Sequence, residues 1–182
     1  MNKITLAFLV GTISAARFSS QDGGPTWTID YDAAGRKYVF GAEVASGTDL
    51  WLAYSTDCTR TSCDIVEFLT SGAGSIKDAY GTLATPRTDF LNDYKNTKVT
   101  KSDGGNTYVF SAERNAAPTD TIGKDFKLEP GQEYEFTWLL KPSGDTGTWT
   151  LKLNEDGSVF EAPKPQPAPG PGPGDGAGSE EP

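Results

Sequence analysis

From Trp27 onward the sequence alternates apolar and polar residues in short runs, and most runs are followed by glycine, asparagine, aspartate or proline. A period of two sends successive side chains to opposite faces of an extended chain, so each run reads as a β-strand with one face in a core. Trp27-Thr-Ile-Asp-Tyr31 shows the pattern cleanly, and Lys37 to Val44 follows after the turn signal Asp32-Ala-Ala-Gly35. Asp49 to Tyr54 and Asp64 to Leu69 are apolar enough for central strands. Asn106 to Arg114, Gln132 to Leu140, Thr148 to Leu153 and Ser158 to Glu161 complete the series. No stretch sustains the 3.6-residue period of an amphipathic helix. The expected fold is all-β, a single antiparallel β-sandwich of immunoglobulin-like type over residues 17–161. Its expected core holds Trp27, Ile29, Val39, Leu50, Leu52, Ile65, Phe68, Val109 and Phe136. Gly72 to Asn96 reads as a longer, more polar connection.

Both ends depart from this pattern. Met1-Asn-Lys precedes an apolar run, Ile4 to Ile13, too short to cross a bilayer and followed by the small residues Ser14-Ala-Ala16. Residues 1–16 are expected to be a secretory signal peptide with Arg17 first in the mature chain; the competing reading is an apolar strand carrying Ile4, Leu6, Phe8 and Val10. From Ala162 to Pro182, seven of 21 residues are proline and five are glycine, with no aromatic or β-branched residue. Such a segment buries too little apolar surface to offset the entropy of ordering, so residues 162–182, with Pro163, Pro165 and Pro167 at their start, are expected as an extended, polyproline II-like tail. No later segment is long and apolar enough to span a membrane.

Sixteen basic residues stand against 25 acidic ones, and histidine is absent. A net charge of −9 does not suit nucleic-acid binding, which needs a basic surface. Without histidine there is no Ser-His-Asp or Cys-His machinery and no imidazole ligand for a metal. The acidic Gly-containing segments at 32–35, 102–106 and 154–157 lack the acid spacing of calcium loops and fall between strands, so they read as turns and no metal site is expected. Two cysteines, Cys58 and Cys63, cannot complete a tetrahedral site alone; in an oxidising compartment they close a small loop, so a disulfide and secretion are expected together.

The order of strands and marker residues has a further meaning. Trp27-Thr-Ile-Asp-Tyr31 and Leu50-Trp-Leu-Ala-Tyr54 are followed by Asp64-Ile-Val66, Asp78-Ala-Tyr80, Pro86-Arg-Thr-Asp89, Glu113-Arg114, Asp120 and Tyr134-Glu-Phe-Thr-Trp138. Over Gly24 to Pro142 this resembles the DOMON family of secreted β-sandwich modules, whose members bind haem or sugars. The resemblance implies a sandwich and a ligand-binding or interaction role. Haem-binding members ligate iron through a histidine and a methionine, the methionine lying in the loop before the aspartate that matches Asp64. Here that loop is Cys58-Thr-Arg-Thr-Ser-Cys63, the sole methionine is Met1, and no cofactor is expected.

Three functions are compatible with these residues. The first is a non-enzymatic extracellular structural subunit, of a fibre or surface layer, that joins copies of itself through Ile4 to Val10 or the proline-rich tail. The second is a carbohydrate-binding module on a proline-rich stalk, with Tyr80, Tyr94, Asp78 and Asp89 as its ligand residues. The third is a glycosidase working through two carboxylates, the least favoured because 25 acids make chance pairs easy. Asp120 and Arg114 are expected to form a structural ion pair.

Overall fold

The computed structural model describes residues 16–19, 25–32, 35–55, 62–102, 104–117, 126–129, 131–154 and 159–161, with the backbone alone for 16–19 and 159–161. It contains β1 (Ala16–Ser19), β2 (Thr26–Asp32), β3 (Lys37–Ala45), β4 (Asp49–Ser55), β5 (Cys63–Leu69) and β6 (Ser75–Thr82). These are followed by β7 (Thr85–Thr88), β8 (Lys95–Lys101), β9 (Thr107–Asn115), β10 (Glu133–Lys141), β11 (Thr146–Leu153) and β12 (Val159–Glu161). A five-stranded sheet in the order β1-β2-β3-β9-β8 packs on a seven-stranded sheet in the order β12-β11-β10-β4-β5-β6-β7. Neighbouring strands pair antiparallel throughout, as expected for an all-β sandwich.

The inward faces supply one large core. Trp27, Ile29, Leu50, Leu52, Phe68 and Phe136 lie in it as expected. Its centre is a chain of rings passing back and forth between the sheets. Trp27 of β2 stacks on Phe136 of β10 at 5.5 Å, Phe136 on Tyr54 of β4 at 5.3 Å, and Tyr54 on Phe40 of β3 at 5.5 Å. Burial of these large rings supplies much of the hydrophobic term that holds the two sheets together.

Three core assignments need correction. Val39 is only half-buried and Val109 is exposed; the inward residues are Tyr38 and Phe40 on β3, and Tyr108 and Phe110 on β9. In both places three apolar residues stand in a row, so alternation does not choose a face. The side with two rings buries the larger area and wins it. Ile65 is fully buried, but on the opposite face of the seven-stranded sheet, with Ala53, Cys63 and Ala79.

Part of the segment expected as a connection, Gly72 to Asn96, is also strand. β6 hides its alternation because its inward positions are Ile76, Asp78 and Tyr80, with a buried carboxylate where an apolar residue is usual. β8, Lys-Asn-Thr-Lys-Val-Thr-Lys, is an edge strand with most side chains in solvent, so no apolar period is required of it. β1 pairs Ala16 with Ile29, Arg17 with Thr28 and Phe18 with Trp27, so the strand begins one residue before the expected cleavage point and spans it. Residues 1–15, with Ile4 to Val10, and 162–182, with Pro163, Pro165 and Pro167, lie outside the described residues.

The two lateral sides of the sandwich differ. β1 lies against β12, so one side is formed by two short edge strands that adjoin the N-terminal segment and the proline-rich segment in sequence. On the other side are β7, four residues long and containing Pro86, and β8, which carries Lys95, Lys98 and Lys101 and a register irregularity between the first two. Short length, proline, lysine and bulges are the devices that keep an edge from pairing with another chain.

Where β10 meets β11, Trp138 faces Gly147, and a Cβ on that glycine would lie 2.7 Å from the indole Nε1. Gly147→Val is therefore expected to push the ring out of place at a cost of ~1–3 kcal/mol. A lower melting temperature with red-shifted tryptophan emission is the expected result; unchanged values would show that the close approach is unimportant.

Candidate functional site

Strand register lines up Tyr54, Asp64 and Tyr80 in one inward row across β4, β5 and β6. From the facing sheet, the inward series of β9 runs Tyr108, Phe110, Ala112 and then Arg114, which ends beside that row. Arg114 and Asp64 form an ion pair with both side chains 0% exposed. Arg114 Nη1 also donates to the Phe126 carbonyl at 2.9 Å, and the Phe126 amide donates to Asp64 Oδ2 at 3.0 Å. The guanidinium sits 5.5 Å from the Tyr54 ring centre and 6.0 Å from that of Tyr94, whose hydroxyls share a hydrogen bond of 2.8 Å.

Burial dominates the electrostatics of this cluster. It pushes the Asp64 carboxyl up to about 6, against the opposing pull of Arg114 and the Phe126 amide. Burial also holds the Tyr54 and Tyr94 phenols well above their ordinary value. The expected partner of Arg114, Asp120, lies outside the described residues; the partner within them is Asp64.

Of the four residues expected at a surface pocket, Tyr94, Asp78 and Asp89 are buried and Tyr80 is half-buried. Tyr94 is 3% exposed and packs edge-on against Phe40 in the core. Tyr80 is half-buried on β6. Asp78 and Asp89 are buried and shape the link between β7 and β8: Asp78 Oδ2 accepts the Asp93 amide at 2.8 Å, and Asp89 Oδ1 accepts the Leu91 amide at 2.9 Å. Their carboxylates serve the backbone of this chain, which is the ordinary use of aspartate in a tight connection.

Cys63 is disulfide-bonded. The chain's other cysteine, Cys58, lies outside the described residues. The donor set does not fit a haem of the histidine and methionine type, because the chain has neither histidine nor any methionine but Met1. Cys63 is consumed by its disulfide, and the two tyrosines nearest Arg114 bond each other. Among the described residues no group of three or more His, Cys, Asp or Glu could hold a metal ion. The turn reading of Asp32 holds, since its Oδ1 accepts the Gly35 amide at 3.2 Å.

Sequence reasoning did not pair Asp64 with Arg114. The available signal was that both charges occupy inward positions of otherwise apolar strands, which two buried opposite charges tolerate only together. The distance between them along the chain, 50 residues, kept the pairing out of reach.

Comparison by sequence finds no matching family model and no matching curated protein. Comparison by structure finds the cytochrome domain of Myriococcum thermophilum cellobiose dehydrogenase, at a TM-score of 0.50 and 10% identity, over 79% of this chain and 84% of that domain. At that identity the likeness is one of fold, that of a DOMON-type sandwich.

Proposed function

We propose that this chain is a non-enzymatic, secreted structural subunit of the DOMON family that joins copies of itself by exchanging strands or tails along one lateral side. The observation that carries this reading is the asymmetry of the edges. β7 carries Pro86, and β8 carries Lys95, Lys98 and Lys101 with a register irregularity, whereas β1 and β12 stand side by side and in sequence next to an apolar segment and a proline-rich strip. Strand addition at an open edge supplies backbone hydrogen bonds for affinity and alternate side chains for specificity. Pro163, Pro165 and Pro167 have the preformed extension for that role, and Ile4, Leu6, Phe8 and Val10 have the alternation for it where residues 1–16 are retained; cleavage after Ala16 leaves the C-terminal donor alone.

Other features agree. The disulfide at Cys63 suits an oxidising compartment, hence secretion. The ion pair of Asp64 and Arg114, with both side chains 0% exposed, supports a role in fixing the sandwich. Electron transfer of the cytochrome kind lacks its ligands here. Deleting residues 162–182, or residues 1–15 where the mature chain retains them, is expected to abolish assembly seen by electron microscopy and sedimentation while the sandwich stays folded by circular dichroism. Assembly surviving both deletions overturns the reading. A full-length protein that is monomeric at high concentration also overturns it, and glycan binding through this fold becomes the alternative to screen.

A further inference from the structure

Among the described residues three large apolar side chains are exposed: Phe90 at 92%, Leu91 at 56% and Val109 at 41%. Val109 stands singly between Glu43 and Thr100 on the outer face of the five-stranded sheet, which is ordinary for a protein surface. Phe90 and Leu91 differ, because they are consecutive and the link from β7 to β8 that carries them is tied down on both flanks. The Asp89 amide donates to the Asp78 carbonyl at 3.0 Å, the Asp93 amide to Asp78 Oδ2 at 2.8 Å, and the Tyr94 amide to Asn92 Oδ1 at 2.9 Å. Asp89 Oδ1 accepts the Leu91 amide at 2.9 Å, and the Lys95 ammonium donates to the Asn92 carbonyl. The Tyr94 ring is held edge-on against Phe40 in the core. Two apolar side chains are thus held outward by a loop that is already ordered, which keeps the entropy cost of docking low.

The charges around this pair have one sign. Residues 85–101, which take in β7, the link and β8, contain the cations Arg87, Lys95, Lys98 and Lys101 and only two acids, Asp89 and Asp93. The four basic residues are exposed, whereas both aspartates are buried. Glu113, which β9 sets opposite Lys95, is engaged by the Lys37 ammonium at 2.8 Å and the Asn96 amide at 2.7 Å. This lateral side is therefore cationic in a chain whose net charge is −9, and the anionic surplus lies elsewhere. Apart from Phe90 and Leu91 its surface is polar, with β7 reading Thr-Pro-Arg-Thr and β8 Lys-Asn-Thr-Lys-Val-Thr-Lys.

We propose that Phe90 and Leu91 insert into an anionic lipid surface, with Arg87, Lys95 and Lys98 against its headgroups. An apolar pair set among cations matches the two layers of such a surface, acyl chains and negative headgroups, and each layer contributes its own share of the affinity. A protein partner is a poorer match. A protein interface has an apolar core inside a polar rim, and the polar strands beside the pair leave little for such a core to be built from. The anionic remainder of the chain is repelled by the same surface, which orients the sandwich with this side down. The side lies opposite β1 and β12, so the inference does not rest on the assembly reading and applies to a monomer or an assembly alike.

The test is flotation of the full-length protein with vesicles of phosphatidylcholine, with and without phosphatidylserine. The wild type is expected to float with the mixed vesicles and not with phosphatidylcholine alone, and added salt is expected to weaken the binding. Phe90→Ser combined with Leu91→Ser is expected to lower the affinity by ~tenfold or more, through the apolar area no longer taken out of water. Arg87→Gln combined with Lys98→Gln is expected to lower it by ~tenfold and to flatten the salt dependence. Circular dichroism checks the folding of each variant, and if the serine pair does not fold, Phe90→Ser alone replaces it. Phe90→Trp is expected to keep the binding and to add tryptophan emission that brominated acyl chains quench. A wild type that floats with neither vesicle overturns the proposal. Binding that survives the loss of Phe90 and Leu91, or that is equally strong on phosphatidylcholine alone, also overturns it. So does Phe90-dependent self-association in sedimentation velocity without vesicle binding, which assigns the pair to a second copy.

Discussion

Replacing Arg114 with leucine is expected to lower the free energy of unfolding at pH 7 by ~3–5 kcal/mol, because it leaves the Asp64 carboxylate buried without its cation. The substitution also removes the hydrogen bond to the Phe126 carbonyl and the guanidinium from the Tyr54 and Tyr94 rings. The double variant Arg114→Leu with Asp64→Leu is expected to recover most of the loss, since two apolar side chains carry no desolvation penalty. The pH dependence separates this account from simple loss of packing. Asp64 releases its proton near pH 6 in the fold and near its ordinary 3.8 when unfolded. Between those values the folded chain holds the extra proton, so this group adds stability as the pH falls from 7 toward 4; the gain is complete below 3.8 and gone above 6. Removing Arg114 raises the folded value further and extends that dependence to higher pH. Urea unfolding at pH 7.5 and pH 5 should therefore show a smaller penalty for Arg114→Leu at the lower pH, and Asp64→Asn should remove the contribution. A penalty below about 1 kcal/mol, or one independent of pH, is incompatible with a buried pair of this kind.

The second large effect is expected at the centre of the core. Phe136 is fully buried and touches both Trp27 of the five-stranded sheet and Tyr54 of its own. Phe136→Ala removes the ring that links them and leaves a cavity between the sheets, for a loss of ~3–5 kcal/mol. Phe136→Leu keeps most of the volume and should cost clearly less. Equilibrium urea unfolding measures both, and near-ultraviolet circular dichroism of the alanine variant should show weakened signals from Trp27 and Tyr54. Equal costs for alanine and leucine would mean that the site collapses freely and that the ring chain does not hold the sheets together.

These two sites show how far the residues could be read in advance. Phe136 was legible as core because it stands in the alternating run Tyr134 to Leu140, flanked by turn residues, and such a pattern is local. The charge pair was not, because each charge considered alone is better placed in water, and only the partner on the facing sheet reverses that preference. Tyr94 was misjudged for a related reason. It stands among asparagine, aspartate and lysine, yet its ring is in the core, because the β7 to β8 link crosses from one sheet to the other just there.

What the amino-acid order determined by itself is the set of properties that depend on neighbours in the chain or on composition. The strands around Trp27, Phe40, Leu52, Phe68, Phe110 and Phe136 follow from period-two alternation between turn residues. The lack of histidine, and of any methionine but Met1, decides that haem ligands of that kind are missing before any fold is known. The tertiary structure decided everything that needed a contact across the sandwich. It placed Tyr38 and Phe40 inward rather than Val39, gave Arg114 its buried carboxylate, and made strands of β6, β7 and β8. It also left Phe90 and Leu91 in solvent. The physical reason is the same in each case: burial is a property of the two sheets together, and the face, charge partner or edge that a segment takes depends on residues dozens of positions away.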